Sequence, residues 1–369
     1  ILAIKDMSAL LKPYSARKLI KALKNEISIP IHLHTHDTTG TGVATVLMAA
    51  EAGVDIVDTT FNGMSGLTSQ PALNSIVAAL ENTDRDTGID LNDIQKLSDY
   101  WDGIRPIYSK FESGLKSGSA EIYKYEIPGG QYSNLRPQVE SFGLGHRFKE
   151  VKLMYKRVNE MVGDIIKVTP SSKMVGDMAI FMVQNDLTPE NVYNKAKNMA
   201  FPDSVVSYFK GMMGQPEGGF PKDLQKLVLK GEKPIDVRPG ELLKDEDFQG
   251  IKGHINKRFS IKATNRDAIS YALYPDVYEE YLKFLQEFGN VSRIRSDVFL
   301  HGLAEGEVSE IDLGEGKTII VKLVQIGNID LDGYRNVDFE INGYRRSIRI
   351  KDRTQTVRSV LGEDSKFRM

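Results

Sequence analysis

Three of the six histidines in this 369-residue chain stand at alternate positions of one segment, as His32, His34 and His36. Alternate residues of an extended strand share a face, so the three imidazoles are expected on one side of it. Each imidazole needs a hydrogen-bond partner, which makes such a set poor core filling, whereas neutral imidazoles are good ligands for a borderline divalent cation. We therefore predict a metal site, with a hydrogen-bonded polar stripe as the alternative.

The three histidines differ in their distance from the C-terminal end of the strand. Reactive groups gather at the C-terminal end of the parallel strands of a barrel. We accordingly predict His34 and His36 as the metal-binding pair. His32 lies deeper and is expected to be a buried, hydrogen-bonded residue.

Lys5 stands near the end of the apolar run ILAIKD, where an unpaired ammonium group would be unfavourable. Three explanations remain open from the residues alone. Lys5 could form a salt bridge with Asp6 or Asp37, which is the commonest outcome for such a lysine. It could be a Schiff-base lysine. It could also be carbamylated, which would turn the amine into a carboxylate able to bind a metal.

The segment KVTPSSK, residues 167–173, precedes a helical pattern and carries several hydroxyl groups. Such hydroxyls can cap the first turn of a helix, or they can face an anion at its N-terminus. Spacing alone favours the N-cap interpretation.

The elements that must position these residues alternate between strand and helix over the first ninety residues. Three such units in series indicate parallel strands, as in a doubly wound sheet or a (βα)8 barrel. The predicted strands span 1–6, 30–37 and 54–59, and the helical patterns span 15–25, 42–52 and a stretch ending near 80.

From about residue 91 to 281 the pattern is almost wholly helical, which predicts a helical annex. After residue 289 the hydrophobic period falls to two, and Asn342-Gly343 is a strong hairpin signal. A small antiparallel domain is therefore expected near the end of the chain. Its predicted strands are 308–313, 317–325, 337–341 and 344–350.

Composition excludes several classes of function. The 48 Lys and Arg residues nearly balance the 50 Asp and Glu residues, so charge gives no basis for nonspecific binding to nucleic acid or an anionic membrane. The chain has no cysteine, which excludes disulfides and a cysteine nucleophile and fits a reducing compartment. No apolar stretch reaches the ~20 residues of a membrane-spanning helix. We expect a cytoplasmic location, and a chain that opens in mid-strand is expected to be a piece of something longer.

Taken together, the motifs resemble the carboxyltransferase domain of pyruvate carboxylases over about residues 1–240. The segment 265–350 is similar to the tetramerisation, or allosteric, region of bacterial members. The motifs that carry this resemblance are, in order, IKDMSALLKP, PIHLHTHDTTGTG, VDIVDTT, MSGLTSQP, EIPGGQYSNL, GDIIKVTPSSKMVGDMA and GGFPKDLQKLVLKG.

The resemblance implies an α/β fold, a TIM (β/α)8 barrel of which this segment holds only the last strands. It also implies four regions. These are the C-terminal part of the barrel at 1–90, a helical extension over the barrel mouth at 91–240, a tetramerisation or allosteric domain at 241–350, and a linker towards a biotin carrier domain at 351–369.

The resemblance further implies roles for particular residues. A divalent metal, Mn or Zn, would be held by carbamylated Lys5, by His34 and His36, and by an Asp. Thr169 would shuttle a proton between biotin and the methyl group of pyruvate. Ser172 and Lys173 would line the biotin pocket. The chain is expected to begin at the sixth barrel strand, so that the Asp ligand and the pyruvate-binding Arg and Gln lie outside this sequence.

The implied reaction is carboxyl transfer from carboxybiotin to pyruvate, which gives oxaloacetate for anaplerosis and gluconeogenesis. Biotin is expected on a carrier domain outside this segment, and ATP and Mg would be used by a biotin carboxylase domain, also outside it. The expected assembly is a homo-oligomer, a tetramer. Acetyl-CoA or a cyclic dinucleotide is the expected effector.

Other functions are compatible with parts of this pattern. One is a biotin-dependent oxaloacetate decarboxylase or transcarboxylase subunit, against which the antiparallel domain argues. A second is a metal-dependent aldol-type lyase or synthase, against which the KVTPSSK loop argues, since such an enzyme has no biotin to protonate. A third, from a different class, is a non-catalytic module for oligomerisation or effector binding.

Overall fold

The computed structural model describes residues 1–112 and 114–352. The chain divides into two compact units, one from Ile1 to Lys244 and one that begins at Asp245. The predicted linker at 351–369 lies outside the described residues from 353 onward.

The first unit begins with a parallel three-stranded sheet in the order β1-β2-β3, which confirms the predicted parallel strands. Within it Lys5 stands beside His34, and Leu33 stands beside Val57. The third strand is shorter than predicted, although Asp58 still donates its N–H to the carbonyl of Leu33 at 3.1 Å. The elements are β1 Leu2–Asp6, α1 Pro13–Glu26, β2 Ile31–Thr35, α2 Gly42–Glu51, β3 Ile56–Val57 and α3 Leu73–Leu80.

The two faces of this sheet differ, as the period of two requires. Ile31 and Leu33 are fully buried and cluster with Ile20 of α1 and Ala49 of α2. His32 and His34 alternate with them on the other face, and the pairing of the strands places Lys5 on that face as well. The helices therefore fix the sheet from one side and leave the polar side chains on the opposite side.

The rest of the first unit is helical, as predicted, with no strand among the described residues from 91 to 244. Its core is formed by large buried side chains such as Tyr155, Phe209 and Leu135. Short 3-10 helices span Asn62–Met64, Arg105–Phe111, Gly145–Arg147 and Pro239–Leu242. The α-helices are α4 Leu91–Ile104, α5 Ile122–Tyr125, α6 Gly129–Ser141, α7 Phe148–Met161, α8 Ser171–Gln184, α9 Val192–Lys195, α10 Asp203–Lys210 and α11 Lys222–Leu229.

The second unit joins four helices to an antiparallel four-stranded sheet in the order β4-β5-β6-β7. Its last hairpin confirms the turn prediction, because Ile341 pairs with Tyr344 and both Asn342 and Gly343 have positive φ. None of the described helices is long and apolar enough to cross a membrane. The elements are α12 Phe248–Phe259, α13 Asn265–Leu273, α14 Pro275–Phe288, α15 Ser296–His301, β4 Val308–Gly314, β5 Lys317–Ile326, β6 Tyr334–Ile341 and β7 Tyr344–Lys351.

Candidate functional site

His34 and His36 lie together at the C-terminal end of β2, with their ring centroids 5.3 Å apart. Nδ1 of His36 donates to the backbone carbonyl of Thr68 at 2.6 Å. A carbonyl oxygen only accepts hydrogen bonds, so the proton is on Nδ1 and the lone pair is on Nε2. Nε2 of His36 is buried and has no hydrogen-bond partner among the described residues. This nitrogen is therefore free to bind a cation.

Burial lowers the pKa of His36 below its ordinary value, although the hydrogen bond to Thr68 opposes this shift. The imidazole is consequently neutral near pH 7, which is the form that binds metals. A positive charge on His34 or on Lys5 lowers the same pKa further, whereas the negative charge of Asp6 raises it. Lys5 stands beside His34 across the sheet, and the ring of His34 lies beside that of His36.

The carboxylate of Asp58 bridges the other two imidazoles on the strand. Its Oδ1 lies 2.7 Å from Nε2 of His32, and its Oδ2 lies 2.7 Å from Nδ1 of His34. Burial raises the pKa of Asp58, but the two histidine hydrogen bonds outweigh it and hold the pKa below its ordinary value. His32 is hydrogen-bonded, as predicted. It is half-buried rather than buried, because its face of the sheet is not covered by the helices that cover Ile31 and Leu33.

Lys5 is exposed and forms no ion pair among the described residues. Asp6 accepts hydrogen bonds from the backbone N–H groups of Leu10 and Leu11, and Asp37 accepts one from Gly42. Neither Asp6 nor Asp37 pairs with Lys5, so the salt-bridge explanation for Lys5 is wrong. No third His, Asp or Glu of the described residues joins the histidine pair to form a metal-ligand cluster.

The loop that carries Thr169 turns directly into α8. Thr169 is exposed and precedes a cis bond to Pro170. The residue that caps the helix is Pro170, and no side chain makes a capping hydrogen bond, so the N-cap interpretation is wrong. Ser171 Oγ instead bonds back to the loop, where it donates to the carbonyl of Val168 at 2.6 Å. The hydroxyl of Thr169 is thus left at the surface of the loop.

Ser172 and Lys173 occupy the first turn of α8. Ser172 is buried, whereas the side chain of Lys173 is largely exposed and forms a 2.6 Å ion pair with Asp177 one turn later. The buried carboxylate of Asp177 also accepts hydrogen bonds from Ser204 at 2.6 Å and Gln138 at 2.9 Å. Asp177 therefore fixes the ammonium group of Lys173. Sequence analysis missed Asp177, although an acidic residue four positions after a lysine on a helix could have indicated the pair.

Helix α6 connects the histidine end of the sheet with α8, the helix that follows the Thr169 loop. At its start, Gly129 donates its N–H to the carbonyl of Met7, and a Cβ on Gly129 would lie 3.0 Å from Nδ1 of His36. Nine residues later, about 14 Å along the axis, Gln138 bonds to Asp177. The glycine pair of the IPGG motif was the available signal for this close approach, and the sequence analysis did not use it.

Known proteins resemble the chain over nearly its whole length. The family model described as a conserved carboxylase domain matches residues 122–322, and the model described as HMGL-like matches residues 1–100. The pyruvate carboxylase of Bacillus subtilis (strain 168) is 51% identical over 352 residues, which is 95% of this chain and 31% of that protein. The mitochondrial pyruvate carboxylase of Homo sapiens is 42% identical, over 98% of this chain and 31% of that protein.

Solved structures show the same relationship. The carboxyl transferase domain of Rhizobium etli pyruvate carboxylase matches 96% of this chain and 59% of that one, with 46% identity and a TM-score of 0.83. The structure of that domain with pyruvate and biocytin matches with a TM-score of 0.84 and 46% identity, over 96% of this chain and 60% of that one. The chain spans about a third of the length of the curated relatives that it matches. The chain therefore belongs to the pyruvate carboxylase family, of which it represents part of the carboxyltransferase region.

Proposed function

We propose that this chain forms part of the site that transfers a carboxyl group from carboxybiotin to pyruvate, giving oxaloacetate. The observation that carries this proposal is the buried, unpartnered Nε2 of neutral His36 beside the ring of His34. A neutral imidazole nitrogen without a hydrogen-bond partner is able to bind a divalent cation, and this one lies at the C-terminal end of β2. The conserved carboxylase match, and the solved relative that holds pyruvate and biocytin, support the same reaction.

The ligand set that we propose on this chain is Lys5, His34 and His36, with Lys5 carbamylated and a further Asp from elsewhere in the protein. Lys5 is suited to this role because it is exposed, unpaired among the described residues and next to His34 across the sheet. Mn²⁺ or Zn²⁺ bound there would polarise the carbonyl group of pyruvate and stabilise the negative charge that develops on its oxygen.

Thr169 is proposed as the proton shuttle. Its Oγ1 would accept a proton from the methyl carbon of pyruvate and give its own proton to the biotin nitrogen from which the carboxyl group leaves. The exposed position of Thr169 allows contact with both reactants. Ser172 and Lys173 would line the biotin pocket, and the Asp177 ion pair supports this because it holds the Lys173 ammonium in one place. Carboxyl transfer also needs a site that excludes water, since water would compete with the enolate of pyruvate for CO2.

A closed TIM barrel needs eight strands, and β1 to β3 supply three of them. We propose that the remaining strands belong to the part of the protein outside this chain, because the relatives are about three times as long. In that arrangement residues 1–90 complete the barrel, 91–240 extend over its mouth, 241–350 assemble a tetramer and 351–369 lead to the biotin carrier. ATP-dependent carboxylation of biotin would take place in another domain.

The test is Thr169→Ala in the full-length protein that contains this chain, with oxaloacetate formation measured in a coupled malate dehydrogenase assay. Removing a group that transfers protons in the transition state is expected to lower kcat by about 10²–10⁴-fold. Thr169→Ser is the matched control, because it keeps the hydroxyl and should keep most of the activity. Near-normal turnover of Thr169→Ala, or equal inactivity of the two variants, would contradict the proposed role.

A further inference from the structure

We propose that Asp58 is a positioning residue for the metal site, which it orients through His34 while His32 anchors its other oxygen. This inference rests on the proposed function, because it assumes that His34 binds the metal. It assigns a role to the third histidine of the strand and to Asp58, an acidic residue of the VDIVDTT motif to which the sequence analysis gave no role.

The bridge is rigid because every part of it is fixed to the sheet. Asp58 follows β3 directly, and its backbone N–H is bonded to the carbonyl of Leu33 in β2. Its two carboxylate oxygens reach two imidazoles that lie two residues apart on one face of β2, each at 2.7 Å. One carboxylate therefore sets the orientation of two rings at once.

The chemistry of the acceptor decides which nitrogen of His34 is free. An ionised carboxylate can only accept, so Nδ1 of His34 carries the proton and donates it to Asp58. The lone pair then lies on Nε2, the nitrogen that remains for a metal. Such a carboxylate partner fixes the ring and increases the basicity of the ligand nitrogen.

His36 is oriented in the same way, but its hydrogen-bond acceptor is a backbone carbonyl. Its Nδ1 donates to the carbonyl of Thr68, and its unpartnered Nε2 is buried. Both imidazoles of the pair thus have Nδ1 bonded to a pure acceptor and Nε2 left for a cation. Two separate acceptors, Asp58 and the carbonyl of Thr68, therefore leave Nε2 of both His34 and His36 available for a metal. A polar stripe that only satisfied its own hydrogen bonds would not require this arrangement.

His32 completes the bridge without binding the metal. Its Nε2 is taken by Asp58, and it lies one step further from the C-terminal end of the strand than His34. Its bond to Oδ1 keeps the carboxylate from rotating away from His34. Of the three alternate histidines, His34 and His36 are therefore the proposed metal ligands, and His32 holds the carboxylate of Asp58.

The test measures metal binding rather than turnover, in the full-length protein with Zn²⁺ and with Co²⁺ as probes. Asp58→Asn should weaken Zn²⁺ binding about 10–100-fold in a chelator competition, and it should alter the visible absorption spectrum of bound Co²⁺. Asp55→Asn is the matched control. Asp55 lies on the same segment, but its carboxylate bonds to Lys24 and to the backbone N–H of Ile31, so its loss should change neither measurement.

A double-mutant cycle with His34→Ala separates positioning from a general structural role. If Asp58 acts through His34, Asp58→Asn should weaken Zn²⁺ binding in the native background and add almost nothing once His34 is absent. Native-like affinity and spectrum of Asp58→Asn, equal losses in Asp58→Asn and Asp55→Asn, or fully additive losses in the cycle would each overturn the inference. Failure of the proposed metal site itself would look different, because the unmodified protein would then not bind the probes.

Discussion

Nζ of Lys167 lies 3.0 Å from Oε2 of Glu126, in an ion pair that joins two segments 41 residues apart. Lys167 belongs to the loop of Thr169, and Glu126 precedes the turn that brings Gly129 against His36. The lysine side chain is 9% exposed and the glutamate side chain 33% exposed, so this ion pair is partly buried. The pair ties the proposed proton shuttle to the proposed metal site.

Lys167→Met should therefore affect both stability and catalysis. Removing one partner of this partly buried ion pair leaves the other charge without a counterion, and we expect a loss of about 1–2 kcal/mol, between the values for surface and buried pairs. Because the Thr169 loop loses an anchor, kcat for oxaloacetate formation should also fall. Calorimetric unfolding and the coupled assay check the two effects.

The control for this change is Lys210→Met. Lys210 pairs with Glu232 at the same distance of 3.0 Å, but both side chains are well exposed. Such a pair contributes about 0–1 kcal/mol, so the variant should behave nearly as the unmodified protein does. Equal effects of the two substitutions would contradict the role given to the Lys167 ion pair.

Gly129→Ala should weaken metal binding. The added Cβ would lie 3.0 Å from Nδ1 of His36 and 3.2 Å from the carbonyl of Thr68, so it would disturb the hydrogen bond that orients this imidazole. The expected result is a lower metal content of the purified full-length protein, measured by elemental analysis.

Gly130→Ala is the neighbouring control, since a Cβ there would meet no atom within 4 Å. Alanine is favoured over glycine inside a helix by about 0.5–1 kcal/mol, so this variant should keep its metal and unfold at a slightly higher temperature. The prediction for Gly129 is wrong if both alanine variants hold the same amount of metal as the unmodified protein.

Asp177→Ala should destabilise the helical part of the first unit. It removes the shared acceptor of Lys173, Ser204 and Gln138, and we expect a cost of about 2–3 kcal/mol, below the full cost of breaking a buried pair because Lys173 is largely exposed. Ser204→Ala deletes one neutral donor and should cost about 1 kcal/mol. Unfolding calorimetry of both variants checks the ranking, and a larger cost for Ser204→Ala would contradict it.

Asp267 gives a prediction about pH. Hydrogen bonds from the Tyr278 hydroxyl and from Thr264 lower the pKa of this carboxyl below its ordinary value. The folded state therefore binds the proton less readily than the unfolded state does, so the stabilisation is complete above the unfolded pKa of about 3.9 and is lost as the pH falls through the lower folded value.

Asp267→Asn should accordingly lower the melting temperature at neutral pH, and the difference from the unmodified protein should shrink below about pH 4. Asp245→Asn, at an exposed carboxylate of the same unit, is the control. A difference for Asp267→Asn that stays constant from neutral pH to about pH 3 would show that ionisation of Asp267 does not contribute.

Much of the fold could be predicted from the sequence because it depends on local periodicity. Alternating strand and helix patterns predicted the parallel sheet, and Asn342-Gly343 predicted the hairpin, since a two-residue turn of this type needs positive φ at both positions. The spacing of the histidines likewise predicted that His32 and His34 share one face of a strand, whereas His36 follows the end of that strand. These features require only the geometry of the backbone and the chemistry of the side chains present.

The orientation of each candidate ligand was decided by tertiary structure alone. Asp58 lies 24 residues beyond His34, and Gly129 approaches His36 from another part of the chain, so no local pattern contains either contact. The salt bridge expected for Lys5 was wrong because Asp6 and Asp37 bond to backbone N–H groups instead. The N-cap role of the KVTPSSK hydroxyls was wrong for a local reason, because Pro170 stands at the N-cap position and Ser171 bonds back to Val168. A sequence pattern specifies which face a side chain occupies, whereas its hydrogen-bond partners and its exposure depend on which distant segments pack against that face.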